Sequence, residues 1–229
     1  MMEKQPLDFS VAFGSAVHDV KNSVGLLLSS LDEFMTANPP QTEEENRRAV
    51  VLNYEASRIN NDMMHLLSIY RLENQRLFSA IEEGLVNDFI EDELLAHETL
   101  LTMKQVEVEV DCDPDLCWYF DSMLLKSVFN NVFVNTIRYT KSKMRIAVEL
   151  VNGYLRITIE DDGNGFPKEL CKEPGEYLTR INFNTGSTGL GLYFSAKVAE
   201  MHRNNDRVGY IEVDNDSTMA GGAFRIYLP

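Results

Sequence analysis

Residues 157–167 of the chain read ITIEDDGNGFP, and residues 184–192 read NTGSTGLGL. In the first stretch a β-branched, alternating run ends in acidic residues followed by Gly163 and Gly165, which predicts a carboxylate at a strand end beside a backbone that is free to turn. The second stretch precedes a helical pattern over residues 190–202, so its glycines place backbone N–H groups as a phosphate cradle at a helix start. Either stretch alone is ordinary turn chemistry, but the pair predicts a phosphate site.

A third stretch, residues 125–140 (LKSVFNNVFVNTIRYT), predicts a helix with Asp121 as its N-cap. Asn131, Asn135 and Arg138 follow one another at helical spacing and share one face. Asparagine is a mediocre helix former, so two on one face need a reason, and a solvent-exposed polar face is the simpler alternative. A carboxamide oxygen is a suitable ligand for a nucleotide-bound Mg²⁺, and a neighbouring arginine takes phosphate charge.

We call the predicted helix over residues 125–140 the asparagine helix. The chain resembles the ATP-binding domain of sensor histidine kinases, because it contains this helix, DDGNGFP and GSTGLGL in that order. These kinases belong to the GHKL group, which includes DNA gyrases and mismatch-repair ATPases. The resemblance extends from about Leu85 to the terminal GGAFRIYLP. It implies an α/β-sandwich ATP-binding (Bergerat) domain that uses ATP and Mg²⁺.

The resemblance also implies roles for single residues. Asn135 is implied as the main Mg²⁺ ligand, with Asn131 assisting. Arg138 and Tyr139 are implied to lie against the nucleotide, and Asp161 to accept a hydrogen bond from the adenine amino group. The remaining implied nucleotide-site residues belong to the two glycine stretches: Gly163, Gly165, Gly186, Thr188, Gly189, Leu190 and Gly191.

Composition limits the classes of partner. The 229-residue chain has a formal net charge of −15, so most of its surface would repel a nucleic-acid backbone or an anionic membrane. No apolar run approaches the roughly 18 residues of a membrane helix, and the N-terminus lacks a secretory signal pattern. The sequence therefore predicts a cytoplasmic protein with no nucleic-acid and no membrane partner.

The cysteines agree with a reducing compartment. Cys112, Cys117 and Cys171 show no metal-ligand spacing, and three thiols cannot all pair within one chain. Reduced cysteines are favoured, and the alternative is that Cys112 and Cys117 face each other across a hairpin.

The N-terminal part predicts two helices. Over residues 8–35 apolar side chains alternate spacings of four and three, which is typical of a coiled-coil seam. The seam consists of Phe13, Val17, Val20, Val24, Leu27, Leu31 and Phe34. Pro39 and Pro40 stop this helix, and the capping box from Thr42 to Glu45 begins a second helix with the same spacing.

Two such helices form an antiparallel hairpin whose apolar faces are too wide to bury against each other alone. We expect a homodimer in which two hairpins bury these faces in a four-helix bundle. The alternative is that the hairpin packs only on its own second domain. The predicted fold is α+β: residues 1–76 form the dimerising hairpin, and residues 77–229 form the catalytic ATP-binding domain.

His18 lies in the first helix, beside the seam, within the string AVHDVKNSVG. Asp19 follows it and Asn22 falls one turn later on the same face, which places an acceptor and a carboxamide around one imidazole. The string resembles the phosphoacceptor box of histidine kinases. The resemblance implies that His18 accepts the phosphoryl group and that Asp19 orients or deprotonates the His18 imidazole. It also implies that Asn22 positions a water for dephosphorylation of the response regulator. Ser23 stands where that family usually has proline, which removes the customary helix kink.

After a polar linker over residues 73–84, the second domain predicts a helix at 86–104 and a hairpin around Asn152-Gly153. Strands are predicted at 106–112, 116–120, 145–151, 154–160, 210–213 and 223–228. Between Pro167 and Gly186 the family's aromatic box has no obvious copy, although Phe183 is a candidate to replace it.

These features predict a histidine kinase that phosphorylates itself on His18 from Mg-ATP and passes the phosphoryl group to a response-regulator aspartate, with a possible reverse dephosphorylation. The first alternative is a histidine phosphotransferase or regulator-binding adaptor with an idle ATP site, and the second is a serine kinase or ATPase of the same group. Only about seven residues precede the first helix, so the signal is expected from a separately encoded sensor or regulatory protein, with an unregulated core as the alternative.

Overall fold

The computed structural model describes residues 9–73, 79–168, 170–171 and 189–229. The chain separates into two compact units, Met1–Leu77 and Phe78–Pro229. None of the helices in the described ranges is both long enough and apolar enough to cross a bilayer.

The first unit is a helical hairpin of α1 (Phe9–Ala37) and α2 (Glu43–Glu73). Its helices run antiparallel, as the contact between the start of α1 and the end of α2 shows. Gly14 in α1 lies so close to the Tyr70 ring in α2 that a Cβ added to Gly14 would be 2.8 Å from the ring. The predicted capping box is present: the Thr42 hydroxyl accepts a hydrogen bond from the Glu45 N–H, and the Glu45 carboxylate accepts one from the Thr42 N–H, both at 3.2 Å.

The apolar seam of α1 divides into two rows within this hairpin. Val17 is buried and Val24 and Leu31 are half-buried, whereas Val20, Leu27 and Phe34 are exposed. On α2 the apolar side chains of Leu52 and Ile59 are exposed in the same way, seven residues apart. One hairpin therefore leaves an apolar stripe uncovered, as expected when two wide apolar faces meet.

The second unit contains helices, a main sheet and two short strand pairs. The helices are α3 (Val86–Lys104), α4 (Ser122–Tyr139) and α5 (Leu190–Met201). The strands are β1 (Glu82–Leu85), β2 (Glu107–Asp111), β3 (Cys117–Phe120), β4 (Lys143–Val151), β5 (Tyr154–Asp161), β6 (Arg203–Asn204), β7 (Arg207–Val208), β8 (Tyr210–Asp214) and β9 (Ala223–Leu228).

The main sheet has the order β2-β4-β5-β9-β8, in which β2 and β4 are parallel and the other neighbours antiparallel. One face of the sheet carries fully buried side chains such as Ile146, Ile157 and Ile226, and the helices bury Phe129 and Phe194. The result is a two-layer α/β sandwich, the architecture predicted for this part of the chain.

The structure differs in three places from the local predictions and the alternatives left open beside them. The linker includes a strand, because Glu82–Leu85 pairs with Cys117–Phe120. Since β3 pairs with β1 and β2 belongs to the main sheet, Cys112 and Cys117 do not face each other across a hairpin. The short β6–β7 hairpin was not predicted at all, because each of its strands has only two residues and no alternating pattern.

Candidate functional site

The asparagine helix α4 is fixed at its start by Asp121. One carboxylate oxygen of Asp121 accepts a hydrogen bond from the Leu124 N–H at 3.0 Å, which is the predicted N-cap, and the other accepts one from the Ala80 N–H at 2.7 Å. The Asp121 N–H in turn donates to Nε2 of His202 at the end of α5. Both helices of the site are therefore held at one end by a shared polar contact.

Asn131 and Asn135 occupy the same face of α4 but have different surroundings. Asn131 is only 8% exposed, and its Nδ2 donates to the Ser195 hydroxyl at 3.4 Å. Asn135 is exposed, and its Nδ2 donates to the backbone oxygen of Asn131 at 2.9 Å. Because the amide nitrogen of Asn135 is turned back onto its own helix, its oxygen points the other way.

Arg138 and Tyr139 form the exposed C-terminal turn of α4. The Arg138 guanidinium carbon lies 5.2 Å from the centroid of the Tyr139 ring, a cation–π distance. A positive group and an aromatic surface are thus presented together, one turn beyond Asn135.

Asp161 ends β5 and is 7% exposed. Its Oδ1 accepts a hydrogen bond from the Gly163 N–H at 2.6 Å, and its own N–H donates to the Gly222 oxygen at 3.1 Å. Burial raises the pKa of Asp161 above its ordinary value, although the backbone hydrogen bonds of Gly163 and Gly222 oppose the rise. The Asp161 carboxylate is therefore a buried acceptor at a strand end, as the sequence predicts.

Sequence reasoning missed Gly221 and Gly222 as parts of this site. A Cβ on Gly221 would clash with Asp161, and a Cβ on Gly222 would meet the Phe166 ring at 2.9 Å. Their signal in the sequence was the Gly-Gly pair before the last strand, which also fits an ordinary turn.

Asp162 joins the turn after β5 to the segment after α4. Its Oδ1 accepts hydrogen bonds from the backbone N–H groups of Lys141 and Ser142, at 2.9 and 3.0 Å. Burial alone would raise the pKa of Asp162, but the hydrogen bonds, those of Ser142 foremost, outweigh it and lower the pKa to about 2.

The glycines of the first stretch permit close backbone approaches. Gly163 packs where a Cβ would clash with the Tyr139 carbonyl, and Gly165 has a φ of +73° beside Asn215. The Asn215 carboxamide accepts from the Phe166 N–H at 2.6 Å and donates to the Phe166 oxygen at 2.9 Å. This two-way clamp holds the turn and was not visible in the sequence.

Of the second glycine stretch, the structure describes the part that enters α5. Gly189 is the residue before the helix, with a φ of +65°, and Leu190 is its first residue. Gly191 lies against Asn131 so closely that a Cβ would clash with the carboxamide. Gly186 and Thr188 lie outside the described residues, as do Phe183 and most of the segment between Pro167 and Gly189.

These contacts bring α4, the turn after β5 and the start of α5 to one edge of the second unit. Asn131 touches Gly191, and Gly163 touches Tyr139. The edge combines a buried carboxylate, amide oxygens, a guanidinium group and helix-start N–H groups, which are the groups that bind a nucleotide.

The donor set also fits a Mg²⁺ ion carried by a nucleotide. The outward oxygen of Asn135 is a hard ligand, and Mg²⁺ is usually held by one or two protein oxygens together with phosphates. Within the described ranges, no group of three or more His, Cys, Asp or Glu side chains forms a separate metal cage. Asn135 would hold the ion, and Asn131 would support it from its buried position.

The His18 site lies in the first unit. The side chain of His18 is 54% exposed, and its Nδ1 lies 3.3 Å from Nδ2 of Asn22 and 3.7 Å from Oδ1 of Asp19. Nε2 is the ring nitrogen that neither of them contacts. Ser23 donates its hydroxyl hydrogen to the Asp19 backbone oxygen at 3.0 Å, and α1 continues through it.

Residues 120–229 match the family described as histidine kinase-, DNA gyrase B-, and HSP90-like ATPase. The sensor protein kinase GraS of Staphylococcus aureus (strain MRSA252) is 26% identical over 210 residues, covering 90% of this chain and 56% of GraS. The sensor histidine kinase GraS of Staphylococcus haemolyticus (strain JCSC1435) is 27% identical over 197 residues, covering 84% of this chain and 54% of GraS. The chain thus spans about half the length of these curated relatives.

Solved structures show the same fold. The Acinetobacter baumannii histidine kinase AdeS matches with a TM-score of 0.60 and 22% identity, covering 92% of this chain and 96% of that chain. Full-length ShkA in complex with AMPPNP matches with a TM-score of 0.64 and 14% identity, covering 94% of this chain and 44% of ShkA.

Proposed function

We propose that the chain, a histidine kinase catalytic core of the GHKL superfamily, is an ATP-dependent protein-histidine kinase. In this proposal it phosphorylates His18 from Mg-ATP and passes the phosphoryl group to an aspartate of a response regulator. The observation that carries the proposal is the imidazole of His18, which is exposed and flanked at Nδ1 by Asp19 and Asn22 while Nε2 remains uncontacted by both.

The contacts of His18 suit a nucleophile. A carboxylate beside Nδ1 favours the neutral tautomer that carries its proton there, which leaves the lone pair on Nε2. In the structure the amide nitrogen of Asn22 faces Nδ1 at 3.3 Å, an arrangement that suits the other tautomer, so the proposal requires the Asn22 carboxamide to be turned over, with its oxygen accepting the Nδ1 proton. Attack by Nε2 on the γ-phosphorus forms a phosphorus–nitrogen bond as the bond to the ADP oxygen breaks, and Asp19 stabilises the positive ring or takes its Nδ1 proton.

The residues of the second unit would position the nucleotide rather than react with it. Asp161 would accept a hydrogen bond from the adenine amino group, and Arg138 would lie near phosphate charge. Mg²⁺, when bound with the nucleotide, neutralises the charge of the phosphates. The match of residues 120–229 to the histidine kinase-, DNA gyrase B-, and HSP90-like ATPase family supports an adenine nucleotide as the ligand.

The second step returns His18 to its starting state. The phosphorus–nitrogen bond breaks as a regulator carboxylate oxygen bonds to phosphorus, which gives an acyl phosphate on the regulator. Asn22, one helical turn from His18, would orient a water that hydrolyses this acyl phosphate in the reverse activity.

A homodimer belongs to the proposal. The exposed apolar side chains of Val20, Leu27 and Phe34 on α1 and of Leu52 and Ile59 on α2 supply the face that a second hairpin would cover. Complete burial of a fully exposed large apolar side chain contributes roughly 1.5–3 kcal/mol, and because these side chains are already partly covered, a four-helix bundle gains about half of that for each.

Incubation of the full chain with γ-labelled ATP and Mg²⁺ tests the proposal. The expected product is labelled protein whose label is lost in acid and retained in base, which is the behaviour of phosphohistidine. Label that survives acid would instead indicate a serine kinase. Nucleotide binding without any label would indicate the adaptor or an ATPase, and in either case the proposal would be wrong.

A further inference from the structure

Ser195 is a fully buried hydroxyl in α5, at 0% exposure, in a helix face otherwise filled by Phe194, Val198 and Ala199. Its Oγ donates a hydrogen bond to the Gly191 carbonyl one turn earlier, at 2.8 Å. The same oxygen accepts a hydrogen bond from Nδ2 of Asn131, at 3.4 Å. A polar group at such a position needs partners, and Ser195 finds them on both helices.

The direction of these two hydrogen bonds matters. A serine hydroxyl has a single hydrogen, and in Ser195 that hydrogen is committed to the Gly191 carbonyl. Toward Asn131 the hydroxyl can therefore only accept. The Ser195 oxygen can therefore pair with the nitrogen of the Asn131 carboxamide, which donates, but not with its oxygen, which only accepts.

Once the nitrogen of Asn131 faces Ser195, its oxygen must face the other way. That oxygen lies 3.4 Å from Nδ2 of Asn135, on the side of the exposed asparagine. Gly191 leaves room for this arrangement, since a Cβ there would clash with the carboxamide. The chain of contacts thus runs from the Gly191 carbonyl through Ser195 and Asn131 to Asn135.

We propose that Ser195 is a positioning residue for the metal side of the nucleotide site. By accepting from the Asn131 amide nitrogen, it holds the Asn131 oxygen toward Asn135 and toward a nucleotide-bound Mg²⁺. This inference rests on the proposed function, because it needs a Mg-nucleotide at Asn135. Ser195 itself contacts neither nucleotide nor metal in this arrangement.

The test is calorimetric titration of the full chain with ADP, once in excess Mg²⁺ and once in EDTA. In the Ser195→Ala variant the affinity for ADP with Mg²⁺ is expected to fall about tenfold, the loss typical of a residue that orients a metal ligand. The affinity in EDTA is expected to remain that of the parent. Ser127→Ala is the matched control, because Ser127 makes the same one-turn hydrogen bond, to Met123, on the exposed side of α4.

A second variant guards against misfolding. Ser195→Cys keeps the shape of the side chain, with a somewhat larger thiol that is a much weaker acceptor, so it is expected to show the same Mg²⁺-specific loss to a smaller extent. Thermal melting in EDTA, followed by Trp118 fluorescence, reports whether each variant is folded.

The outcomes separate this inference from the proposed function. A loss of equal size with and without Mg²⁺, or no loss in either folded variant, overturns the role of Ser195 and leaves the kinase proposal standing. A parent chain that binds no ADP in Mg²⁺ overturns both.

Discussion

The Asp162 carboxylate accepts hydrogen bonds from both the backbone N–H and the hydroxyl of Ser142, at 3.0 and 2.8 Å. Ser142 lies just beyond the asparagine helix, and Asp162 follows the buried Asp161. One ionised side chain therefore ties the turn that contains Asp161 to the segment that follows the helix with the proposed metal ligands.

Replacement of Asp162 is expected to weaken nucleotide binding without removing a nucleotide contact. Asp162→Ala loses the acceptor for Lys141 and Ser142, which costs roughly 1–2 kcal/mol of stability, and the site becomes less well ordered. ADP affinity is expected to fall several-fold, with a smaller fall in Asp162→Asn, which keeps one acceptor oxygen. Asp113→Ala is the control, because it removes a similar carboxylate-to-backbone contact, to the Asp115 N–H, outside the proposed nucleotide site. Equal ADP affinity in Asp162→Ala and the parent would contradict the prediction.

Substitutions of Asp161 and of Asn135 are expected to weaken ADP binding in different ways. Asp161→Asn replaces a charged acceptor that the adenine amino group needs, a loss of roughly 1.5–3 kcal/mol in ADP binding with or without Mg²⁺. Asn135→Ala is expected to lower only the Mg²⁺-dependent part of the affinity. Calorimetric titration in Mg²⁺ and in EDTA distinguishes the two patterns, and unaltered titrations in both variants would remove the site assignment.

His18 and Asn22 are expected to separate two activities. His18→Gln should abolish labelling from γ-labelled ATP while ADP binding persists, because an amide is no nucleophile toward phosphorus. Asn22→Ala should retain much of the labelling but slow the release of phosphate from a phosphorylated regulator. Time courses of label on both proteins measure this. Phosphate release as fast as with the parent would show that Asn22 has no part in hydrolysis.

Local patterns predicted much of this structure. The helix Val86–Lys104, the Asp121 cap and the capping box at Thr42 all depend on neighbours within a few residues, so the sequence states them directly. The turn at Asn152 and Gly153 is of the same kind, since both residues have the positive φ that a tight hairpin requires.

Contacts between residues far apart in the chain could not be predicted in this way. The strand at Glu82–Leu85 exists because it pairs with residues about 35 positions later, and its own composition resembles a linker. Asn215 clamps Phe166 across 49 residues, and Asn131 meets Ser195 across 64. The glycine motifs mark where the site lies, but the residues that hold it in shape are found only in the folded chain.

The stability of the second unit is expected to fall in mild acid because of His202. Its Nε2 accepts the Asp121 N–H at 3.0 Å, and its Nδ1 lies 2.9 Å from the Val198 oxygen, so the ring is neutral with its proton on Nδ1. Burial lowers the pKa of His202, and this effect exceeds the opposing influence of the Val198 hydrogen bond and of the Asp121 charge.

The sign of the pH effect follows from proton uptake. Above pH 6.5, the ordinary pKa of histidine, the ring is neutral in both states and its contribution to stability is complete. As the pH falls from 6.5 toward the lower pKa of the folded state, the unfolded chain binds a proton that the folded chain does not. The free energy of unfolding then decreases by up to about 1.4 kcal/mol for each pH unit.

Urea unfolding between pH 8 and pH 5 measures this, with fluorescence of Trp118, the single tryptophan, as the signal from the second unit. His202→Gln should be less stable than the parent at pH 8, since the amide cannot satisfy both partners at the same geometry, but its stability should fall less between pH 6.5 and pH 5. Val198→Ala is the matched control, because it destabilises the same buried face of α5 while leaving the histidine in place, so the parent's pH slope should persist. A slope in His202→Gln as steep as that of the parent would assign the acid sensitivity to other groups, and the neutral His202 would then be a packing residue alone.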